Sequence, residues 1–145
     1  MTDLLRAAIV VHKTLDPAAV ANAAAILTGQ LALLEPDLFE GKGVVDADGV
    51  RHAGIRFNTV ILTGRPGQVT KLIGAATEAG VPNAVFSSAG RGLSNSFDSY
   101  VELVGKSGTE ELDVIAVGLV GPDETVRALT KSFSSFKGSS GDGNS

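Results

Sequence analysis

The chain predicts an α/β layered domain around a mainly parallel sheet of about four strands with a small hairpin beside it. Three observations carry that reading. Short apolar runs, Ala7-Ala8-Ile9-Val10-Val11, Thr59-Val60-Ile61-Leu62, Ala84-Val85-Phe86 and Val114-Ile115-Ala116-Val117, alternate with segments of helical spacing. Asp48-Gly49 lies between two short β-prone stretches. A length of 145 residues is that of one domain able to bury a sizeable core unaided.

Leu4 to Val11 is apolar except for Arg6, the pattern of an interior strand covered on both faces. The chain breaks at His12-Lys13-Thr14-Leu15, and Asp16-Pro17 opens a helix: Asp is a good N-cap, and proline's fixed φ and missing N–H cost nothing in the first turn. Val20, Ala24, Leu27, Leu31 and Leu34 recur at helical spacing, with Ile26 and Leu33 widening the arc, so a mostly buried helix is expected. Its many alanines leave a thin surface suited to a sheet, another helix or a second copy of the chain. Asn22 stands alone among them and requires a partner or water. Glu35-Pro36-Asp37 ends the helix, and Leu38 to Gly43 is a loop.

Val44 to His52 reads as a hairpin with a tight primed turn at Asp48-Gly49. Asn58 to Thr63 is the next interior strand, and Gly64-Arg65-Pro66-Gly67 turns into a helix from about Gln68 to Ala79, with Gly80 as its stop. After the strand Ala84-Val85-Phe86 comes a polar bend, Ser87 to Gly92, and then a helix whose Phe97 and Tyr100 are expected in the core. Leu112 to Leu119 is the strongest strand. Gly121-Pro122-Asp123 caps a last helix through about Phe133. Residues 1–136 form the domain, and the Gly/Ser-rich stretch 137–145 is expected to be disordered.

Twelve basic against sixteen acidic residues, net charge −4, give no field that would gather a polyanion, so a nucleic-acid partner is not expected. Cysteine is absent, which removes disulfides, thiol nucleophiles and thiolate metal sites. The apolar runs fall short of the ~20 residues of a membrane span, and Met1-Thr2-Asp3 lacks the basic start of a secretory signal. The expectation is a soluble cytoplasmic protein with no membrane partner.

Familiar motifs fail. Gly105-Lys106-Ser107 ends like a phosphate loop, but Tyr100 occupies the first glycine position. Gly41-Lys42-Gly43 precedes a hairpin, not a helix. Asp46 and Asp48 imitate a calcium loop whose other ligand positions hold Val44 and Ile55. His12 and His52 are the only imidazoles and lie in different elements, so neither a metal nor a cofactor is expected.

In parallel sheets ligands gather at the carboxyl ends of strands. Here that rule collects His12 with Lys13, Thr63, and Ser87 with Ser88. His12 is placed as general acid/base or as a loop histidine. Ser88 and Ser87 are hydroxyls that, with His12 and Asp16 or Asp98, have the residue types of a nucleophile, base and orienter, though without the glycines of a nucleophile elbow. Arg91, between two glycines, can present a fork to an anion, and Asn22 can orient a ligand or bond across a helix interface.

Leu15-Asp16-Pro17 with Ala21-Asn22-Ala23-Ala24-Ala25, the stretch Gly43 to Ile55, and Val117-Gly118-Leu119-Val120-Gly121-Pro122 together resemble the bacterial family known as domain of unknown function two thousand, over about Ala7 to Phe133. Asp-Gly-x-x-His-x-Gly-Ile, here Asp48 to Ile55, is the most specific part. That family is similar in fold to type II peptidyl-tRNA hydrolases. The resemblance therefore implies a three-layer α/β/α sandwich with a four-stranded mixed sheet, its last strand antiparallel. Ser88-Ala89-Gly90-Arg91-Gly92 stands where those hydrolases carry Asp-Ala-Gly-Arg-Thr. Their lysine-rich helix entrance is replaced by Asp16-Pro17-Ala18-Ala19, which removes the positive surface for tRNA phosphates. Only Gly90 and Arg91 carry over by identity, with Asn22 in place of a glutamine.

Three functional expectations follow. The first is a pocket at the strand ends that binds or acts on a small acyl or amino-acid-like metabolite, with His12 and Ser88 catalytic and Lys13, Asn22, Thr63, Ser87 and Arg91 contacting it. The second is a non-catalytic homodimeric module assembled through the alanine-rich helix. The third is hydrolysis of aminoacyl or peptidyl esters on tRNA.

Overall fold

The computed structural model describes residues 4–88 and 96–137. The elements run β1 (Leu5–His12), α1 (Pro17–Leu34), β2 (Val44–Val45), β3 (Arg51–His52), β4 (Asn58–Gly64), α2 (Pro66–Glu78) and β5 (Asn83–Ser87). There follow α3 (Phe97–Lys106), a 3-10 turn at Thr109–Leu112, β6 (Val114–Pro122), α4 (Asp123–Thr130) and β7 (Ser134–Ser135). The fold is mixed α/β, a five-stranded sheet in the order β5-β6-β1-β4-β7 with four α-helices among the described residues.

The mainly parallel sheet read from the apolar runs is corrected: the sheet is mixed, as the resemblance implies, with five strands instead of four and three of its four pairings antiparallel. β1 and β4 are parallel, with Ile9 opposite Ile61, but β6 runs antiparallel to both β1 and β5. β7 is antiparallel to β4. β7 is the strand the sequence reading missed, because two serines carry no apolar alternation. Phe136 beyond it donates its N–H to the Ile61 carbonyl at 2.9 Å.

Successive residues of a strand face opposite sides, and β1 divides accordingly. Ala7, Ile9 and Val11 pack with Val20, Ala23, Leu27 and Leu31 of α1, whereas Ala8 and Val10 pack with Val69, Leu72 and Ala76 of α2 and Val126 of α4. Among the described residues one helix thus covers one face, and two cover the other. Arg6, the one charge in the β1 run, reaches Asp123 in the first turn of α4 at 3.5 Å.

Asp16 caps α1 as expected, its carboxylate accepting the Ala19 N–H at 2.8 Å. The expectation that α1 is mostly buried is corrected. Leu27 and Leu31 are buried, but Ile26, Leu33 and Leu34 are 44, 75 and 48% exposed. The sheet presses on one side of a helix whose solvent side is also largely apolar, Asn22 and Gln30 apart, and which carries no charged residue. In length and composition α1 also meets the description of a membrane-crossing helix. A second correction concerns α3: none of its residues is buried, and Phe97 is 74% exposed. Helical spacing places Phe97 and Val101 on one face without saying what covers it.

The hairpin forms, with Val44 opposite His52 and Val45 opposite Arg51, but not on a two-residue primed turn. Asp46 N–H bonds the Val50 carbonyl at 3.0 Å, leaving three loop residues, of which only Gly49 has positive φ, at +84°. The Asp46 carboxylate selects this shape by accepting the Asp48 and Val50 N–H groups at 2.8 and 3.0 Å. Its other oxygen meets His52 Nε2 at 2.7 Å.

Candidate functional site

Because β6 is antiparallel, its amino end lies beside the carboxyl end of β1, with Val11 opposite Ala116. Asp113 and Val114 therefore join His12 at one edge of the sheet. There a cleft of about 320 Å³ is lined by His12, Pro66 and Thr70 from α2, Thr109 and Glu110 from the 3-10 turn, and Asp113 and Val114.

His12 continues the even-numbered side of β1, the side of Ala8 and Val10, and so points toward α2. Its Nε2 is buried without a hydrogen-bond partner among the described residues. Burial pushes the imidazole's pKa below the ordinary 6.5, outweighing the nearby Asp113 carboxylate, which pulls it up. The shift favours the neutral ring, the form able both to accept and to donate a proton.

Asp113 has φ +54° and ψ +74°, the one positive φ on a non-glycine residue in the described backbone. Asp is among the few side chains that tolerate this region. It is fastened to the end of β5 twice: Ser88 Oγ donates to its Oδ2 at 2.6 Å, and Ser88 N–H donates to its carbonyl at 2.9 Å.

The predicted residues separate. His12 lines the cleft, and Ser88 reaches it through Asp113. The Ser88 hydroxyl is directed at a carboxylate that is neither Asp16 nor Asp98. Ser87 is buried at the end of β5, paired with Val114. Lys13 is exposed past the end of β1, its N–H bonded to the Gly64 carbonyl at 3.0 Å. Thr63 follows Ile61 and so faces the α1 side of the sheet, opposite to His12. Asn22 is exposed on α1. Arg91 lies outside the described residues.

Sequence reasoning missed Asp113, Glu110, Thr109 and Thr70. For Asp113 the signal was present: it is the one charge at the amino end of the strongest strand, Leu112 to Leu119. A parallel reading sends the amino end of that strand to the far edge of the sheet.

Among solved structures, one of a protein of unknown function, Atu0240 from Agrobacterium tumefaciens, is similar at 13% identity and a TM-score of 0.77, covering 94% of this chain and 99% of its own. At that identity the likeness is one of fold. No curated protein matches the chain. The family model described as "Protein of unknown function (DUF2000)" matches residues 5–137, nearly the whole described chain, and the protein belongs to that family.

Proposed function

We propose that the cleft at the end of β1 is a ligand site for a small acyl or amino-acid-like metabolite, with His12 as its acid/base group. The observation that carries this is the buried Nε2 of His12, which has no partner among the described residues and belongs to a residue lining the cleft. A buried polar atom left unpaired costs about 1–3 kcal/mol, so a ligand that pairs it recovers that cost. Ser88 acts here by orienting Asp113, because its hydroxyl is committed to that carboxylate.

The likeness in fold to type II peptidyl-tRNA hydrolases belongs to the same reading. It is supported by a sheet in which β6 runs against both neighbours while β1 and β4 run together. A tRNA ester as substrate finds less support, since the charged groups lining the cleft among the described residues, Glu110 and Asp113, are acidic.

The test is a thermal-shift screen against amino acids, acyl metabolites, nucleotides and bulk tRNA. A ligand at a hundredfold excess over its dissociation constant adds about 2.7 kcal/mol of stability. The expected result is a small-molecule hit that is lost in His12→Ala. Equal affinity for the variant ends the reading.

A second reading has its own observation. The solvent side of α1 presents Ala18, Ala21, Ala25, Ile26, Gly29 and Leu33 with no charge, a surface on which two copies of the helix meet without like-charge repulsion. Light scattering is expected to give a dimer that Ala25→Glu converts to a folded monomer. A wild-type monomer at high concentration removes this reading.

A further inference from the structure

Resting on the cleft being a ligand site, we propose that the end of the ligand entering it is a cationic amine, held between Asp113 and Glu110 and against His12. The lining is one-sided in chemistry. Among the described residues it offers two carboxylates, the Thr70 and Thr109 hydroxyls and an imidazole, with no Lys or Arg. A carboxylate has about four lone-pair sites, of which Ser88 uses one on Asp113, so acceptor capacity remains. An ammonium brings three donors and no acceptor, the complement of such a lining. A carboxylate or phosphate would meet two like charges.

The unpaired Nε2 of His12 is the observation independent of the acidic pair. In a neutral ring it is a lone-pair acceptor or a single donor depending on the tautomer, and beside two carboxylates the acceptor form is the one an ammonium completes. A metal ion is the other cation to consider. Among the described residues no group of three or more His, Asp or Glu side chains is arranged to hold one. The carboxylates therefore address a cation that donates hydrogen bonds. A cleft of about 320 Å³ is at the small end for ligand sites, which restricts that cation to a small molecule or to the end of a longer one.

Three matched probes separate charge from shape: alaninamide, cationic; N-acetylalaninamide, neutral; and N-acetylalaninate, anionic. Each is titrated into the full chain at about pH 7 while the ring resonances of His12 are followed by NMR. Alaninamide is expected to shift them saturably, with the neutral probe weaker and the anion silent. Asp113→Asn with Glu110→Gln is expected to weaken alaninamide binding about tenfold or more. Asn keeps the left-handed backbone that Asp113 occupies. Where the double variant fails to fold, Glu110→Gln alone, at an exposed turn residue, gives a smaller loss of the same sign. Undiminished affinity in the carboxamide variants overturns the proposal. Saturable binding of the anion with alaninamide silent overturns the amine while leaving the cleft a ligand site. No probe moving His12 removes both.

Discussion

The hairpin and the cleft are both built around a histidine and an aspartate, and they differ in what those residues are left to do. In the hairpin the aspartate is fully engaged: Asp46 holds two backbone N–H groups with one carboxylate oxygen and His52 with the other. Gly54 then passes so close to the neighbouring loop that an added Cβ would stand 2.5 Å from the Glu40 carbonyl oxygen. At the cleft, Asp113 is held by Ser88 but His12 keeps a buried nitrogen without a partner among the described residues. The most distinctive sequence motif is thus one that closes a loop on itself. The less distinctive residues leave bonding capacity over, and capacity left over is what a ligand can use.

The largest effect that sharpens the contrast comes from Gly54→Ala. The Glu40 N–H bonds the Gly54 carbonyl at 2.8 Å, and Phe39 bridges Ile55, so the clash falls on backbone that must shift and break this pairing. A loss of about 3 kcal/mol is expected, read as a lower urea midpoint at unchanged slope. No loss would mean that the hairpin motif does not serve closure.

An intermediate effect comes from His12 and has a defined sign. The fold holds its pKa below the ordinary 6.5, so the folded chain binds protons less readily than the unfolded one. The stability this contributes is fully present above that value and is lost as the pH falls from it through the depressed pKa. His12→Asn is expected to flatten the fall in urea midpoint between about pH 7.5 and pH 5.5 relative to wild type. An equal fall in both proteins would place the burden on other groups and weaken the case that His12 is held unsatisfied.

How much of this was legible follows from how each feature is encoded. β1, the Asp16 cap, α2 and the interior of β6 were readable because local rules of spacing and capping decide them. Strand direction is not local. Nothing within Val114 to Leu119 states that it pairs antiparallel with β1, and that one fact moves Asp113 from the far edge of the sheet to the side of His12. Thr63 was misplaced for a related reason: the rule of strand ends gathers residues at one edge but is silent on which face each occupies. The exposure of Phe97 and Leu33 was hidden because spacing defines a helix face without naming its partner.

The smallest effect is confined to the hairpin tip. The Asp46 carboxyl is held below its usual 3.8, first by the His52 hydrogen bond and then by the Val50 and Asp48 N–H groups. That contribution is present above 3.8 and disappears as the pH falls through the depressed value. The pair is solvent-exposed, where such contacts contribute little to global stability. Asp46→Ala is therefore expected to erase the NMR contacts between Val44 and His52 while leaving the urea midpoint nearly unchanged. His52→Ala, which spares both backbone N–H bonds, is expected to loosen the tip less. If Asp46→Ala lowers the midpoint as far as Gly54→Ala does, the tip belongs to the cooperative core. The comparison between a motif that only closes a loop and a cleft left open to a ligand would then fail on its first side.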